Sequence, residues 1–147
     1  MPPNPFRTAR RVEFCDTDMA GIVHFANFYR YMEQAEHTLF RELGMRIAGK
    51  TAEGVVFGWP RVAAECSFSA PARYDDEVTI EIAPIKRTSR SLTLQYTFLL
   101  ADRAIARGEM TTVYCLIPPG EAMRAATIPD DWSKRLEGWE EGLMVDG

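Results

Sequence analysis

FANFYRYMEQAEHTLFRELG, residues 25–44, decides the architecture. Phe25, Phe28, Met32, Ala35, Leu39 and Leu43 recur at spacings of three and four, which lays them along one face of a helix. Arg30, Glu33, Glu36, His37 and Arg41 fall largely on the other face. Gly44 stands just past the last periodic residue, where glycine commonly ends a helix. The central chain carries no second stretch with this period, so the cover for its apolar stripe has to be sheet.

Working outward, residues from about 55 to 117 read as strand. In Val78-Thr79-Ile80-Glu81-Ile82 the alternation is strict, and Leu92, Leu94, Tyr96, Phe98 and Leu100 oppose Ser91, Thr93, Gln95 and Thr97. Period two marks antiparallel strands with one covered face. Breaks fall at Pro71 to Asp76, at Arg87 to Arg90 and at Asp102-Arg103, the last short enough for a tight hairpin. Upstream, Arg7 to Phe14 predicts a strand with Val12 and Phe14 facing inward, and Asp16, Thr17, Asp18 and Gly21 break it. After Pro118-Pro119-Gly120 comes a polar tail, in which Ile128-Pro129-Asp130-Asp131-Trp132 starts a short helix. The expectation is an α+β chain forming one domain over 1–147, its core about 7–117 and its tail 118–147. A long central helix is wrapped by an antiparallel sheet. One such sheet leaves free edges, and pairing of sheets between two subunits protects them.

Composition narrows the function classes. The 147 residues are 46% hydrophobic and 26% charged, ordinary for a globular chain, with a net charge of −4. That charge gives no general attraction for nucleic acid or an anionic membrane, so neither is expected as a partner. No window approaches the roughly 18 apolar residues that cross a bilayer, and no signal peptide is visible, so the cytoplasm is the expected location. Cys15, Cys66 and Cys115 lack metal-ligand or disulfide spacing. They read as buried free thiols within strands, and no metal site is expected.

The chemistry-bearing stretch is Val12 to Phe28, VEFCDTDMAGIVHFANF. It sets Asp16 and Asp18 in a loop that runs into the start of the long helix. Helix N-termini present unpaired N–H groups and partial positive charge, which stabilise an oxyanion. A carboxylate just upstream can act as nucleophile or as general base for water. An Asp before a helix also serves as a cap or turn former, and spacing alone leaves that alternative open.

The stretch resembles the signature of the 4-hydroxybenzoyl-CoA thioesterase family. The matching residues are Asp16-Thr17-Asp18, Ala20-Gly21-Ile22-Val23, His24-Phe25 and Asn27-Phe28. Ser67-Phe68-Ser69-Ala70-Pro71-Ala72 and Tyr74-Asp75-Asp76-Glu77-Val78 resemble the family's later turn and strand, so the likeness spans roughly residues 7 to 117. The resemblance implies a hotdog fold and hydrolysis of an acyl-CoA without metal or redox cofactor, coenzyme A being part of the substrate. Asp18 matches the family's catalytic carboxylate, and Phe25 matches the oxyanion donor through its backbone N–H. Gly21 would keep the thioester carbonyl within reach. A branch resembling the Tol-Pal-associated thioesterases carries a histidine seven residues after this Asp. Here that position is Phe25, and His24 lies one residue earlier, turned by about 100° on a helix. His24 is therefore either a catalytic base or a pocket-lining or backbone-bonding group. Asp16 reads as a turn residue that holds the loop.

For the nucleotide portion, Lys86-Arg87-Thr88-Ser89-Arg90-Ser91 is the dense basic turn, and phosphates need such charge and hydroxyl donors. The family uses basic residues here, so Lys86, Arg87, Ser89 and Arg90 are substrate-binding candidates, and Arg73, beside the Tyr74-Asp75-Asp76 turn, is a further one. A solvated turn is the alternative. Trp59, before Pro60, either walls the acyl pocket or belongs to the core. The motif also resembles the 1,4-dihydroxy-2-naphthoyl-CoA hydrolases, as does the Ile128-Pro129-x-x-Trp132 tail, so the acyl group is expected to be aromatic, with short aliphatic groups open. Two other readings stand: an acyl-CoA hydratase or dehydratase, which would need Asp18 and His24 poised over the acyl α- and β-carbons, and a non-catalytic acyl-CoA binder. The family resemblance implies a homodimer or a homotetramer of two dimers.

Overall fold

Strict period-two segments become sheet, and the one helical stripe becomes the element they cover. The computed structural model describes residues 1–142. Its elements run β1 (Phe6–Arg11), α1 (Phe25–Glu42), β2 (Ala48–Lys50), β3 (Val56–Gly58), β4 (Arg61–Phe68), β5 (Glu77–Arg87), β6 (Ser91–Leu100), β7 (Arg103–Val113), β8 (Cys115–Ile117), β9 (Arg124–Ala125) and α2 (Asp130–Glu141). The main sheet is antiparallel in the order β1-β5-β6-β7-β4, and a smaller sheet runs β2-β3-β8-β9.

Val78, Ile80 and Ile82 of β5 and Leu92, Leu94, Tyr96 and Phe98 of β6 are buried beneath α1. The intervening Thr79, Glu81, Thr93, Gln95 and Thr97 look outward. Each fully buried aliphatic side chain is worth about 1.5–3 kcal/mol relative to exposure. Ala101 and Asp102 turn the β6–β7 hairpin with positive φ at both, as a two-residue loop requires. Gly44, at φ +72, ends α1 as expected.

Several expectations are corrected. The first strand stops at Arg11, because Phe14–Asp16 forms a 3-10 turn. Val12 is buried, but Phe14 swings out to solvent and packs edge-on to the exposed Tyr74. Phe25 stands 62% exposed at the open first turn of α1, where no strand lies over it. Glu36, assigned to the polar face, is only 2% exposed. It is held by Arg61, Nη2 to Oε1 2.7 Å, and by the Tyr96 hydroxyl at 3.4 Å. Burial raises its carboxyl to about 7, against the opposing pull of Arg61. Of the cysteines only Cys115 is fully buried; Cys66 is half-buried on an edge strand and Cys15 is exposed in the 3-10 turn.

The tail is not merely polar. Trp132, Leu136 and Trp139 of α2 recur at helical spacing and are buried in the same core, with Ile128 before them. Asp130 and Asp131 occupy its first turn, where negative charge is favourable. Arg135 donates to the carbonyls of Leu43 and Gly44, capping the C-terminal end of α1. Residues 143–147 of the expected tail lie outside the described residues. No helix among the described residues is long and apolar enough to cross a membrane.

Candidate active site

The loop between β1 and α1 is folded by its own polar groups. Asp18 N–H donates to Ile22 O, and Gly21 N–H donates to Asp18 O, both at 2.9 Å. Gly21 takes φ +77 at the end of that turn, a backbone state that glycine adopts without a steric penalty. Thr17 bridges Val23, and Ile22 bridges Arg73, so the loop is stitched to the segment before β5. Val23 N–H donates to Ala72 O at 2.8 Å, which anchors it from below.

Asp18 is half-buried, and its Oδ1 accepts the Ala20 N–H at 2.8 Å. It opens onto a cleft of about 530 Å³ lined by Phe25, Phe28, Phe68 and Arg73 among others. Asp18 is the one carboxylate among the lining residues. Phe28 makes edge contacts with Phe68 and Phe98, at 5.0 and 5.1 Å between centroids, which sets the ring wall of the cleft.

His24 is the N-cap of α1. Its Nδ1 accepts the Ala26 N–H at 3.1 Å, and its carbonyl accepts the Asn27 N–H at 2.8 Å. The ring stacks on Phe25 at 4.7 Å. Capping thus occupies Nδ1, in line with the backbone-bonding alternative. The Phe25 N–H has no partner among the described residues. The two groups therefore divide the work of the helix start: His24 closes the amide after Phe25, and the Phe25 amide is left available.

Asp16 is the centre of the loop. Its Oδ2 accepts the Glu13 N–H at 2.9 Å and the Tyr31 hydroxyl at 2.8 Å. Its main-chain oxygen accepts His24 N–H at 2.9 Å and Asn27 Nδ2 at 2.8 Å. The side-chain roles of Tyr31 and Asn27 were not legible in the sequence. The available signal was a tyrosine on the apolar helix face, whose buried hydroxyl has to find a partner.

The other candidates do not converge on this cleft. Asp18, Gly21, His24, Phe25 and Arg73 gather at the Glu77 end of β5. Lys86, Arg87, Ser89 and Arg90 lie in the hairpin at the opposite end. Arg87 is occupied there by Glu140 of α2, Nε to Oε1 2.8 Å and Nη2 to Oε2 3.3 Å, which holds its guanidinium charged. The Ser89 carbonyl accepts the Ile128 N–H at 2.9 Å, while the side chains of Lys86, Ser89 and Arg90 are exposed. Trp59 is buried at that same far end among Phe40, Tyr114 and Trp132, with its Nε1 donating to Arg46 O. No cluster of three or more metal-ligating side chains is present among the described residues.

A single long helix wrapped by an antiparallel sheet, with a carboxylate loop at the helix start, is the hotdog arrangement of thioester hydrolases. The chain belongs to the thioesterase-like superfamily, whose family model matches residues 12–136. It is similar to the 4-hydroxybenzoyl-CoA thioesterase of Pseudomonas sp. (strain CBS-3), 30% identical over 129 residues, or 84% of this chain and 91% of that protein. The solved structure of that enzyme superimposes with a TM-score of 0.76 at 26% identity, covering 88% of this chain and 97% of the other. A gentisyl-coenzyme A thioesterase is 30% identical with a TM-score of 0.73, over 85% of this chain and 97% of that one. A 1,4-dihydroxy-2-naphthoyl-CoA hydrolase of Synechococcus sp. (strain WH7803) is 24% identical over 150 residues, covering 95% of this chain and 90% of that protein.

Proposed function

We propose that the protein hydrolyses acyl-CoA thioesters, with Asp18 as the catalytic carboxylate and the Phe25 N–H as the oxyanion donor. The carrying observation is the apolar cleft at the start of α1 in which Asp18 is the one acidic lining residue. Asp18 supplies an electron pair, either to the thioester carbon directly or to a proton of the attacking water. The carbonyl electrons move onto oxygen, where the first amide of α1 stabilises them, and collapse breaks the C–S bond. The sulfur leaves as the coenzyme A thiolate and takes a proton given up by water. On the direct route that water then cleaves the Asp18–acyl anhydride, so on either route one water is consumed and the free acid is released. A single such donor is typically worth about 3–4 kcal/mol in the transition state. This reading assigns no step to a metal or redox cofactor.

The acyl group is proposed to be aromatic. Phe25, Phe28 and Phe68 line the cleft with rings, and the relatives named above act on aromatic acyl-CoAs. The site is also proposed to be shared between subunits. Within one protomer the basic hairpin and Trp59 sit at the other end of the 11-residue β5 from Asp18. At about 3.3 Å per residue that is on the order of 30 Å. β4 is an edge strand exposed along most of its length, with Val62 and Phe68 open to solvent. Antiparallel pairing of β4 with a second copy would set the Phe68 end of one strand beside the Arg61 end of the other. The cleft of one protomer would then face the hairpin end of its partner.

Release of free thiol from aromatic, short and long acyl-CoAs, with Asp18→Asn beside the wild type, tests the reading. The variant keeps shape and loses the carboxylate. Turnover should fall by about 10²–10⁴, the usual range for a positioned acid–base group, with substrate still bound. Equal turnover in both proteins would overturn the assignment of Asp18.

A further inference from the structure

Tyr31 occupies a place that phenylalanine would fill. Its ring packs beside Phe28 at 6.2 Å, the Arg10 guanidinium lies over it at 5.4 Å, and the residue is 1% exposed. Packing of α1 on the sheet needs the ring and not the oxygen. The hydroxyl reaches one group, Oδ2 of the buried Asp16, at 2.8 Å. Burial first, and then the neighbouring carboxylate, push the phenol well above its usual range, so the hydroxyl remains a donor at working pH.

What Asp16 then holds is the active loop. The chain leaves Asp16 toward Asp18, turns at Gly21 and returns to the same residue, because the Asp16 carbonyl accepts the His24 N–H and Asn27 Nδ2. Asp18 lies two residues after this anchor, and the Phe25 amide lies one residue after the point of return. The loop has few other ties to α1, and Tyr31 sits six residues into the helix from Phe25, about 9 Å along the axis.

We propose that Tyr31 is a positioning residue for thioester hydrolysis: through Asp16 it locks the Asp18 loop to the first turns of α1, so that the carboxylate and the oxyanion amide keep one relative geometry. The proposal rests on the reading of Asp18 as the catalytic carboxylate. A misplacement of about 1 Å between reacting groups costs on the order of 100-fold in rate. Loss of this lock therefore falls on kcat, because Tyr31 does not line the cleft that binds the acyl group.

The test compares Tyr31→Phe, Asn27→Ala, Asp16→Asn, Asp18→Asn and the double variant Tyr31→Phe/Asp16→Asn, using the acyl-CoA that the wild type turns over fastest. Tyr96→Phe is the control, since it also removes a buried tyrosine hydroxyl, the one facing Glu36. Tyr31→Phe is expected to lower kcat about 10- to 100-fold with KM within about threefold. Tyr96→Phe should lower the Tm and leave kcat unchanged. The double variant should be no slower than the slower of its two single variants. Asn27→Ala removes the second tie to Asp16 and should lower kcat in the same way, which keeps the test intact if Tyr31→Phe folds poorly. Wild-type kcat in Tyr31→Phe while Asp18→Asn is inactive would overturn the lock alone. Full turnover in Asp18→Asn would overturn the reading of Asp18 and the lock with it. Losses in Tyr31→Phe confined to KM, or multiplying with those of Asp16→Asn, would also overturn the lock.

Discussion

The two ends of α1 are built in opposite ways. At its C-terminal end every ring is enclosed: Phe40, Phe57, Trp59, Tyr114 and Trp132 pack edge to face, and α2 closes over them. At its N-terminal end Phe14, Met19, Phe25 and Tyr74 stand in solvent, Phe25 lining the Asp18 cleft, and hydrogen bonds through Asp16 tie the loop to the helix. Stability is therefore concentrated at one end and the candidate chemistry at the other. Exposed rings beside a cleft cost a monomer its apolar burial, and a bound acyl group or a second subunit would recover it. Trp132, Leu136 and Trp139 of α2 add their apolar surface to the enclosed end.

Truncating one ring at each end is the strongest attempt to break that contrast. Trp139 of α2 is fully buried, and its Nε1 donates to Pro3 O at 2.7 Å, tying the tail to the first residues. Trp139→Ala should cost about 3–5 kcal/mol in chemical denaturation, as large-to-small core changes do. Phe25→Ala at the open end should change stability by no more than about 0.5 kcal/mol. Equal losses at the two ends would show that the division between stability and chemistry is wrong.

How much of this was legible in the sequence follows from where periodicity reports and where it does not. The helix and the alternating strands were legible because burial on one face imposes a period, and α1, β5 and β6 fall close to the expected limits. Asp18 and Gly21 are singled out in the sequence by the motif around them; Asp18 lines the cleft and Gly21 lies in the turn beside it. Phe14 and Phe25 were misplaced, because hydrophobic pattern says that a ring prefers cover and not that cover is present. Glu36 was misplaced for the converse reason. A charged residue reads as solvent-facing unless its partner is known, and Arg61 lies 25 residues away on β4. The depth of α2 in the core was hidden by the polar residues between its tryptophans. The distance between the basic hairpin and Asp18 depends on strand direction, which no local motif encodes.

Glu36 sharpens the comparison, since it is a buried charge midway between the ends. It faces Arg61 and Tyr96, with Glu33 and His37 on the same stretch of α1. Its carboxyl is raised from 4.5 to about 7 in the folded chain. The folded state therefore binds the proton more tightly, and its contribution to stability is full below pH 4.5. That contribution is lost as the pH rises through about 7, on the order of 3 kcal/mol in all. His37, lowered by burial, works in the opposite direction and more weakly, being partly exposed. Urea denaturation of the wild type and Glu36→Gln across pH 4.5 to 8 should show the variant gaining relative stability over that window. A constant difference between the two proteins would mean that Glu36 titrates at its ordinary value.

The smallest effect separates support from chemistry at the far end itself. Arg87 and Glu140 form a two-point pair whose side chains are 22% and 23% exposed. It joins the basic hairpin to α2. Partial exposure screens the pair, so Glu140→Ala should cost about 1 kcal/mol in stability. The consequence for substrate is more informative. If Arg87 only fastens α2, the variant keeps its kcat and its KM for acyl-CoA within about twofold, and Lys86, Ser89 and Arg90 carry whatever phosphate contact the hairpin makes. If the pair aligns the hairpin for the nucleotide, KM rises several-fold while kcat holds, because the proposed catalytic carboxylate, Asp18, lies at the other end of α1. A fall in kcat would contradict the separation of the two ends. The loop at Asp18 would then be sensing the packing of α2, through the length of the helix or across the proposed subunit interface, and the polar lock at Asp16 would not be sufficient to set its geometry.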